Sequence, residues 1–317
     1  MINTEKEIPI RTTLQLEAIL LTGKNEHLLK NFLQEGVDDT VLPSLTDTDL
    51  RDIGISKIGD RRRLLAAFAK LRMDERLAES TPMPQATAAE PFINSIGLPF
   101  VAIPGFQTLV CAWPVRVRDY RLYCEEKSLE FPDQKHATNP THPVVNVTWH
   151  ECIDFCVWLT AKERASGLMG ADQFYRMLTD LEWSASVGLP NESEPTPADR
   201  SKKLPGYPWG PTYPPPKGAG NYDPSLKADD FDFTSPVDAF APNALGIYDL
   251  SGNVWEWCMD NFNASRTYHT LRGGAWDLNG SGLMSSARNA NDPNVKSSCV
   301  GFRIAFAMQE GPGQKTT

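Results

Sequence analysis

The six cysteines have the sharpest chemistry in this chain: Cys111, Cys124, Cys152, Cys156, Cys258 and Cys299. They form no Cys-x-x-Cys pair, so neither a zinc ribbon nor a disulfide framework is expected. Cys152 and Cys156 stand four apart in a stretch with helical spacing, which could place two thiols on one face. As small apolar residues on a buried stripe they need no further role. The more telling stretch runs from Ile247 to Arg303. It opens IYDLSGNVWEWCMD and closes VGFRIAF, both rich in aromatics or glycine, while Asp277 to Cys299 is small, polar and aperiodic. A strand needs alternation and a helix a 3.6-residue repeat, and the middle supplies neither. Apolar anchors on both sides of an irregular segment predict a rigid frame holding a surface loop, the usual seat of binding residues. The chemistry suggested is binding.

Composition narrows the classes. The chain has 317 residues, enough for two domains and a sizeable core. A net charge of −9 and a pI near 5.1 argue against nucleic acid or an anionic membrane as partner. Met1–Ile10 lacks the apolar run of a secretion signal, and no apolar run is long enough to span a bilayer, so a cytoplasmic location is expected.

Several elements must position these residues. Residues 12–76 carry helical apolar spacing broken at Gly23, Gly36, Gly54 and Gly59. Residues 77–92 are Ala, Pro, Thr and Glu without period and read as a linker. A second domain follows over 93–307, with a flexible tail at 308–317. Short strands are predicted at Phe100–Ile103 and Thr108–Trp113, and a helix after Pro114 with Val117, Tyr120 and Cys124 on one side. Thr148-x-x-Glu151 and Thr179-x-x-Glu182 are capping boxes, and the first helix should bury Trp149, Cys152, Cys156 and Leu159. Residues 190–240 are dense in Pro, Gly and aromatics, and stay ordered only if metal ions or an aromatic shell pin them.

Within the first unit, VLPSLTDTDLRDIGISKIGDRRRLLAAFAKL resembles a SAM (sterile alpha motif) domain. The resemblance implies five helices and association with a protein partner or a second copy. It also implies docking through the start of the last helix, here Arg61, Arg62 and Arg63, onto an acidic surface that would comprise Asp38, Asp39, Asp47 and Asp49.

From Asn94 to Phe306, NSIGLPFVAIPG, THPVVNVTW, YRMLTDLEW, YPWG, SPVDAF, NALGIYDLSGNVWEW, LRGGAW and GFR occur in order. In this the chain is similar to the formylglycine-generating-enzyme/sulfatase-modifying family. The resemblance implies an α+β variant of the C-type lectin fold with much irregular structure. The family's oxidase chemistry uses two copper-binding cysteines between RGG and GFR. Here that interval holds Cys299 alone, so no thiolate pair can form. Related sulfoxide synthases use histidine-held iron, an arrangement that His27, His136, His142, His150 and His269 do not offer.

The chain also resembles the variable proteins of diversity-generating retroelements, which end in this domain and mutate adenine-rich codons between RGG-x-W and GFR. That resemblance implies a variable ligand-binding set: Asp277, Leu278, Asn279, Ser281, Gly282, Ala287, Ala290, Asp292, Val295, Ser297, Ser298 and Cys299. All are residue types reachable from an AAY asparagine codon. The implied function is non-catalytic display of a binding site for a protein ligand, with a peptide-thiol oxidase or an undiversified scaffold as alternatives. The family resemblance further implies structural calcium at two positions. One matches Asn221, Tyr222, Asp229 and Phe231, and the other Asp249 and Glu256 with the carbonyls of Gly252 and Val254. Hard oxygen ligands of this mixed kind suit Ca²⁺.

Overall fold

A computed structural model describes residues 41–79, 82–137 and 139–308, together with Leu28, Asn31, Phe32, Glu35 and Val37. The helical spacing expected between residue 12 and Gly23, the acidic Asp38 and Asp39, and the tail beyond Met308 lie outside the described residues. The chain divides into two compact units between Ser80 and Thr81. No helix among the described residues is long and apolar enough to cross a membrane.

In the first unit, helix α1 (Asp47–Asp52) starts at a capping box. The Thr46 hydroxyl accepts from the Asp49 amide, and the Asp49 carboxylate accepts from the Thr46 amide. Gly54, at φ +92°, closes α1: the Ile55 amide reaches back to the Leu50 carbonyl and the Gly54 amide to Arg51, a Schellman ending. Helix α2 (Ile58–Glu79) follows. Leu42, Leu50, Ile55, Leu64 and Phe68 form the core with Phe32, whose ring meets Phe68 edge-on at 6.4 Å. Helix α2 outruns the predicted boundary at residue 76 by three residues. The linker also shortens from its far end. Ala86 is buried and its carbonyl accepts from the Ala102 amide, so part of the expected linker packs on the second unit.

The second unit holds two sheets. One is antiparallel in the order β1 (Phe92–Ile93), β2 (Pro99–Ala102), β3 (Thr108–Cys111), β9 (Ile304–Met308), β4 (Gln173–Met177). An apolar run such as IAFA suits β9, which has a neighbour on each side and is buried on both faces. Strand β4 alternates, with Gln173, Tyr175 and Met177 inward. Helices α3 (Val117–Lys127) and α4 (Trp149–Ala165) supply the aromatic core. Tyr120 of α3 stacks on Phe155 of α4 at 5.6 Å, and Phe302 meets both rings edge-on. As expected, α3 buries Val117, Tyr120 and Cys124, and α4 buries Cys152, Cys156 and Leu159. Trp149 is only half-buried. Both predicted capping boxes are formed, at α4 and at α5 (Asp180–Ser186).

The second sheet runs β7 (Asn289–Asn291), β6 (His269–Arg272), β5 (Trp255–Asn261), β8 (Val300–Phe302), with β5 and β8 parallel. The aromatic shell anticipated around residues 190–240 is present. Tyr207 stacks on Trp209 at 4.6 Å, and Trp209 meets Tyr222 at 5.2 Å.

Candidate functional site

The frame begins with Arg303. Its guanidinium binds both Glu256 oxygens and donates to the Cys111 and Tyr248 carbonyls, which ties β5, β3 and the approach to β9 together. Trp183 donates to the same Glu256 carboxylate at 3.1 Å. Gly301 is required beside it, because a Cβ there would lie 2.5 Å from the Val144 carbonyl.

A second charge cluster sits under the candidate stretch. Asp180, at the start of α5, is fully buried and accepts from Arg200, Arg272 and Arg288. Arg288 also grips Glu192 with two donors. Burial by itself would raise the Asp180 carboxyl; the arginines, Arg272 first, outweigh it and hold the group at about 2. The sequence reading missed this cluster, whose members lie up to 108 residues apart.

Arg288 changes the shape of the candidate stretch. Residues 283–288 belong to the core: Leu283, Ser285, Ser286, Ala287 and Arg288 are buried. The Ser285 amide donates to Gly206, the Ser286 hydroxyl to Leu204, and Arg272 to the Ser285 and Ala287 carbonyls. Ala287, expected among the variable positions, therefore faces the interior beside an anchored arginine. Two arcs remain. Asp277, Asn279 and Ser281 are exposed on the first, with Leu278 and Gly282 half-buried. The second exposes Val295, with Ala290, Asp292, Ser297, Ser298 and Cys299 half-buried.

Both arcs are braced. Gly280 donates to the Tyr213 hydroxyl and Lys202 to Ser281. Asn146 donates to the Ser297 carbonyl, and Lys296 pairs with Glu151 at 2.7 Å. Trp276 links the two, since its amide donates to Asn253 and its indole N–H to the Ser298 carbonyl. Sequence reading also missed His136 and Phe233, whose rings lie 6.2 and 5.1 Å from Trp276. A lone histidine and a loop phenylalanine carry no periodic signal.

Burial pushes the Cys299 thiol above its ordinary value, and its Sγ lies 3.1 Å from the Ser297 hydroxyl. The other five cysteines are buried, with Cys111 raised to about 12 by burial. Protonated, enclosed thiols make poor nucleophiles. Asp277 is exposed as a residue, but partial enclosure of its carboxyl raises it, and the charge of Asp223 raises it further.

The two expected calcium sets differ in fit. Asn221 is fully buried, and its Oδ1 has no partner among the described residues. Asp229 turns its two oxygens inward onto the Tyr222 and Phe231 amides at 2.9 Å, gathering the expected carbonyl donors into one loop. An orphaned buried oxygen beside a carboxylate suits a hard cation. In the second set, burial raises Asp249 to about 7, and among the described residues its carboxylate accepts a hydrogen bond from Asn253. Glu256 fits poorly, because Arg303 and Trp183 already fill its oxygens. Gly252 stands at φ +75° with its Cβ position 2.1 Å from the Asn221 carbonyl, so the two sets share a backbone junction. Among the described residues no three His, Cys, Asp or Glu side chains cluster as a metal site.

In the first unit, Arg61 is buried and its donors go to Asp47, Ile55 and Ser56. It therefore holds the domain together and cannot dock a partner. Arg62 and Arg63 are exposed, with Arg63 paired to Asp60.

Residues 98–308 match the family model described as "Sulfatase-modifying factor enzyme 1-like domain", and residues 16–72 match the SAM (sterile alpha motif) domain. The chain belongs to the sulfatase-modifying factor enzyme 1-like family. Inactive C-alpha-formylglycine-generating enzyme 2 of Bos taurus is 31% identical over 185 residues, covering 54% of this chain and 52% of that protein. Formylglycine-generating enzyme of Mus musculus is 29% identical over 203 residues, covering 56% and 47%. The chain spans about half the length of the curated relatives it matches. In fold it is similar to PvdO from Pseudomonas aeruginosa, with a TM-score of 0.51, 19% identity, and coverage of 72% of this chain and 100% of that one. Treponema denticola variable protein 1 aligns with a TM-score of 0.45 and 21% identity, covering 71% and 92%. The SAM unit and the α+β lectin-type domain expected from sequence are both present.

Proposed function

We propose that this chain is a non-catalytic, cytoplasmic binding protein, a retroelement-diversified variable protein that displays residues 277–282 and 289–299 to a protein ligand. One observation carries the reading: exposed and half-buried side chains form two arcs on a frame whose buried Arg303–Glu256 pairing does not involve them, with Lys202–Ser281 and Lys296–Glu151 as side-chain ties at the edge. The interval between Arg272 and Gly301 also holds one thiol where paired-thiol oxidation needs two. A peptide-thiol oxidase is the second reading, favoured by the activity that names the mouse relative. The SAM unit would join the display to a partner through Arg62 and Arg63.

Changing Asp277, Asn279, Ser281, Asp292, Val295 and Ser297 together is expected to abolish binding of peptides selected on the native chain. The melting temperature should stay nearly unchanged, since surface substitutions cost within about 0.5 kcal/mol each. A variant that unfolds, or that binds the same peptides unchanged, refutes the display. A nearby reverse transcriptase, with a repeat of the 3′ coding end differing at adenines, is the matching genomic expectation.

Calcium held by Asn221, Asp229 and the Tyr222 and Phe231 carbonyls is proposed to brace the loop beneath the first arc. An ion bound only by the folded state adds about 2.7 kcal/mol at a hundredfold excess over Kd. Melting in Ca²⁺ should exceed melting in EDTA, and Asp229→Ala should erase that difference. Equal melting of the native chain in both removes the ion.

For the first unit, light scattering of the full chain with Arg62→Glu and Arg63→Glu is expected to show lost association. Unaltered mass and unaltered partner capture would count against these two residues.

A further inference from the structure

Three rings stand beside the displayed arcs on backbone that the arcs do not supply. His136 lies on Phe233 at 4.0 Å with 30° between planes, and Phe233 meets Trp276 edge-on at 5.1 Å and 77°. Phe233 is 41% exposed, yet its surroundings are pinned. Its carbonyl accepts from Asn221, Thr234 donates to the His136 carbonyl at 2.6 Å, and the Ser235 amide donates to Asn253. A lone exposed ring would mean little, but His136, Phe233 and Trp276 form one contiguous aromatic patch, the kind of surface that marks a contact site.

Charge selects what that is. Asp277 follows Trp276, Asp232 precedes Phe233, and the Asp223 amide donates to the Leu278 carbonyl at 3.0 Å, which sets Asp223 next to Asp277. None of the three forms an ion pair among the described residues. A cation would relieve the repulsion at Asp277, and aromatic faces attract cations through their negative quadrupole. We propose that His136, Phe233 and Trp276 form a constant aromatic anchor that receives a lysine or arginine side chain of a protein partner, with Asp277 as its counter-charge. This rests on the display reading above. Since Asp277 is itself a displayed position, versions of the chain differing there would keep the rings and change the charge preference.

The test is an array of random peptides probed with the full chain. Bound peptides should be enriched in Arg and Lys over the array as a whole. Phe233→Ala should weaken those peptides by about two- to fivefold, the size of an exposed cation–π contact, while Phe233→Tyr retains them. Asp277→Asn should lower the Arg and Lys enrichment with the melting temperature preserved. Bound peptides enriched in acidic or purely apolar residues, or indifferent to Phe233→Ala, overturn the anchor and leave the display standing. Peptides that still bind after the sixfold arc substitution remove the display itself. A chain that binds no peptide on the array overturns the anchor.

Discussion

Asp180→Ala is expected to cost about 3–5 kcal/mol, enough to unfold much of the second unit, because it strands buried arginines without their counter-charge. Arg200, Arg272 and Arg288 all donate to this carboxylate, and Asp180, Arg272 and Arg288 have no solvent-exposed side-chain surface. Glu192 is left to compensate Arg288 alone. The same group sets an acid limit. The folded carboxyl titrates at about 2 and an unfolded Asp near ~3.9, so the unfolded chain binds the proton more readily. The contribution is fully present above the unfolded value and is lost as pH falls through the folded one. Chemical denaturation of Asp180→Ala at neutral pH checks the magnitude, and acid titration of the native chain checks the sign. A loss below about 1 kcal/mol would show that the arginines find other partners or water.

Phe302→Ala is expected to cost about 3–5 kcal/mol through the cavity it leaves. Its ring is fully buried and fills the space against Tyr120 and Phe155, at the junction of β8 with the helices. Val295→Ala, seven residues earlier on the exposed arc, should stay within about 0.5 kcal/mol. Trp276, by contrast, is half-buried, so its truncation should cost less than that of Phe302 and should act on binding instead. Urea denaturation of the three variants ranks them. If Val295→Ala costs as much as Phe302→Ala, the second arc is core and not display.

The frame was legible because its signals are local. Capping boxes at Thr148 and Thr179 need only four consecutive residues, and the Ile-Gly-Ile turn after α1 announces its glycine. The short strands expected at Phe100–Ile103 and Thr108–Trp113 are β2 and β3, with bounds shifted by one or two residues. The site was legible only in part. Asp277 to Cys299 reads as one polar segment, and Ala287 looks like its neighbours in composition. What buries it is Arg288, whose partners Asp180 and Glu192 are remote in sequence. Arg61 misled in the opposite way. Three consecutive arginines look like one basic patch, but the helical turn points the first at Asp47 and two carbonyls. Neither case is decided by residue type.

If the stretch is displayed as proposed, Arg288 pins it at its middle and divides it into two short spans that meet again where the Trp276 indole donates to the Ser298 carbonyl. In a chain diversified as proposed, repertoires of the two arcs would multiply, while the hazard of misfolding would only add. Short closed spans also surrender little freedom when they meet a ligand, so newly varied sequences begin partly pre-ordered. Any scheme that randomises this surface should leave codons 283–288 alone and treat the flanking arcs as separate libraries.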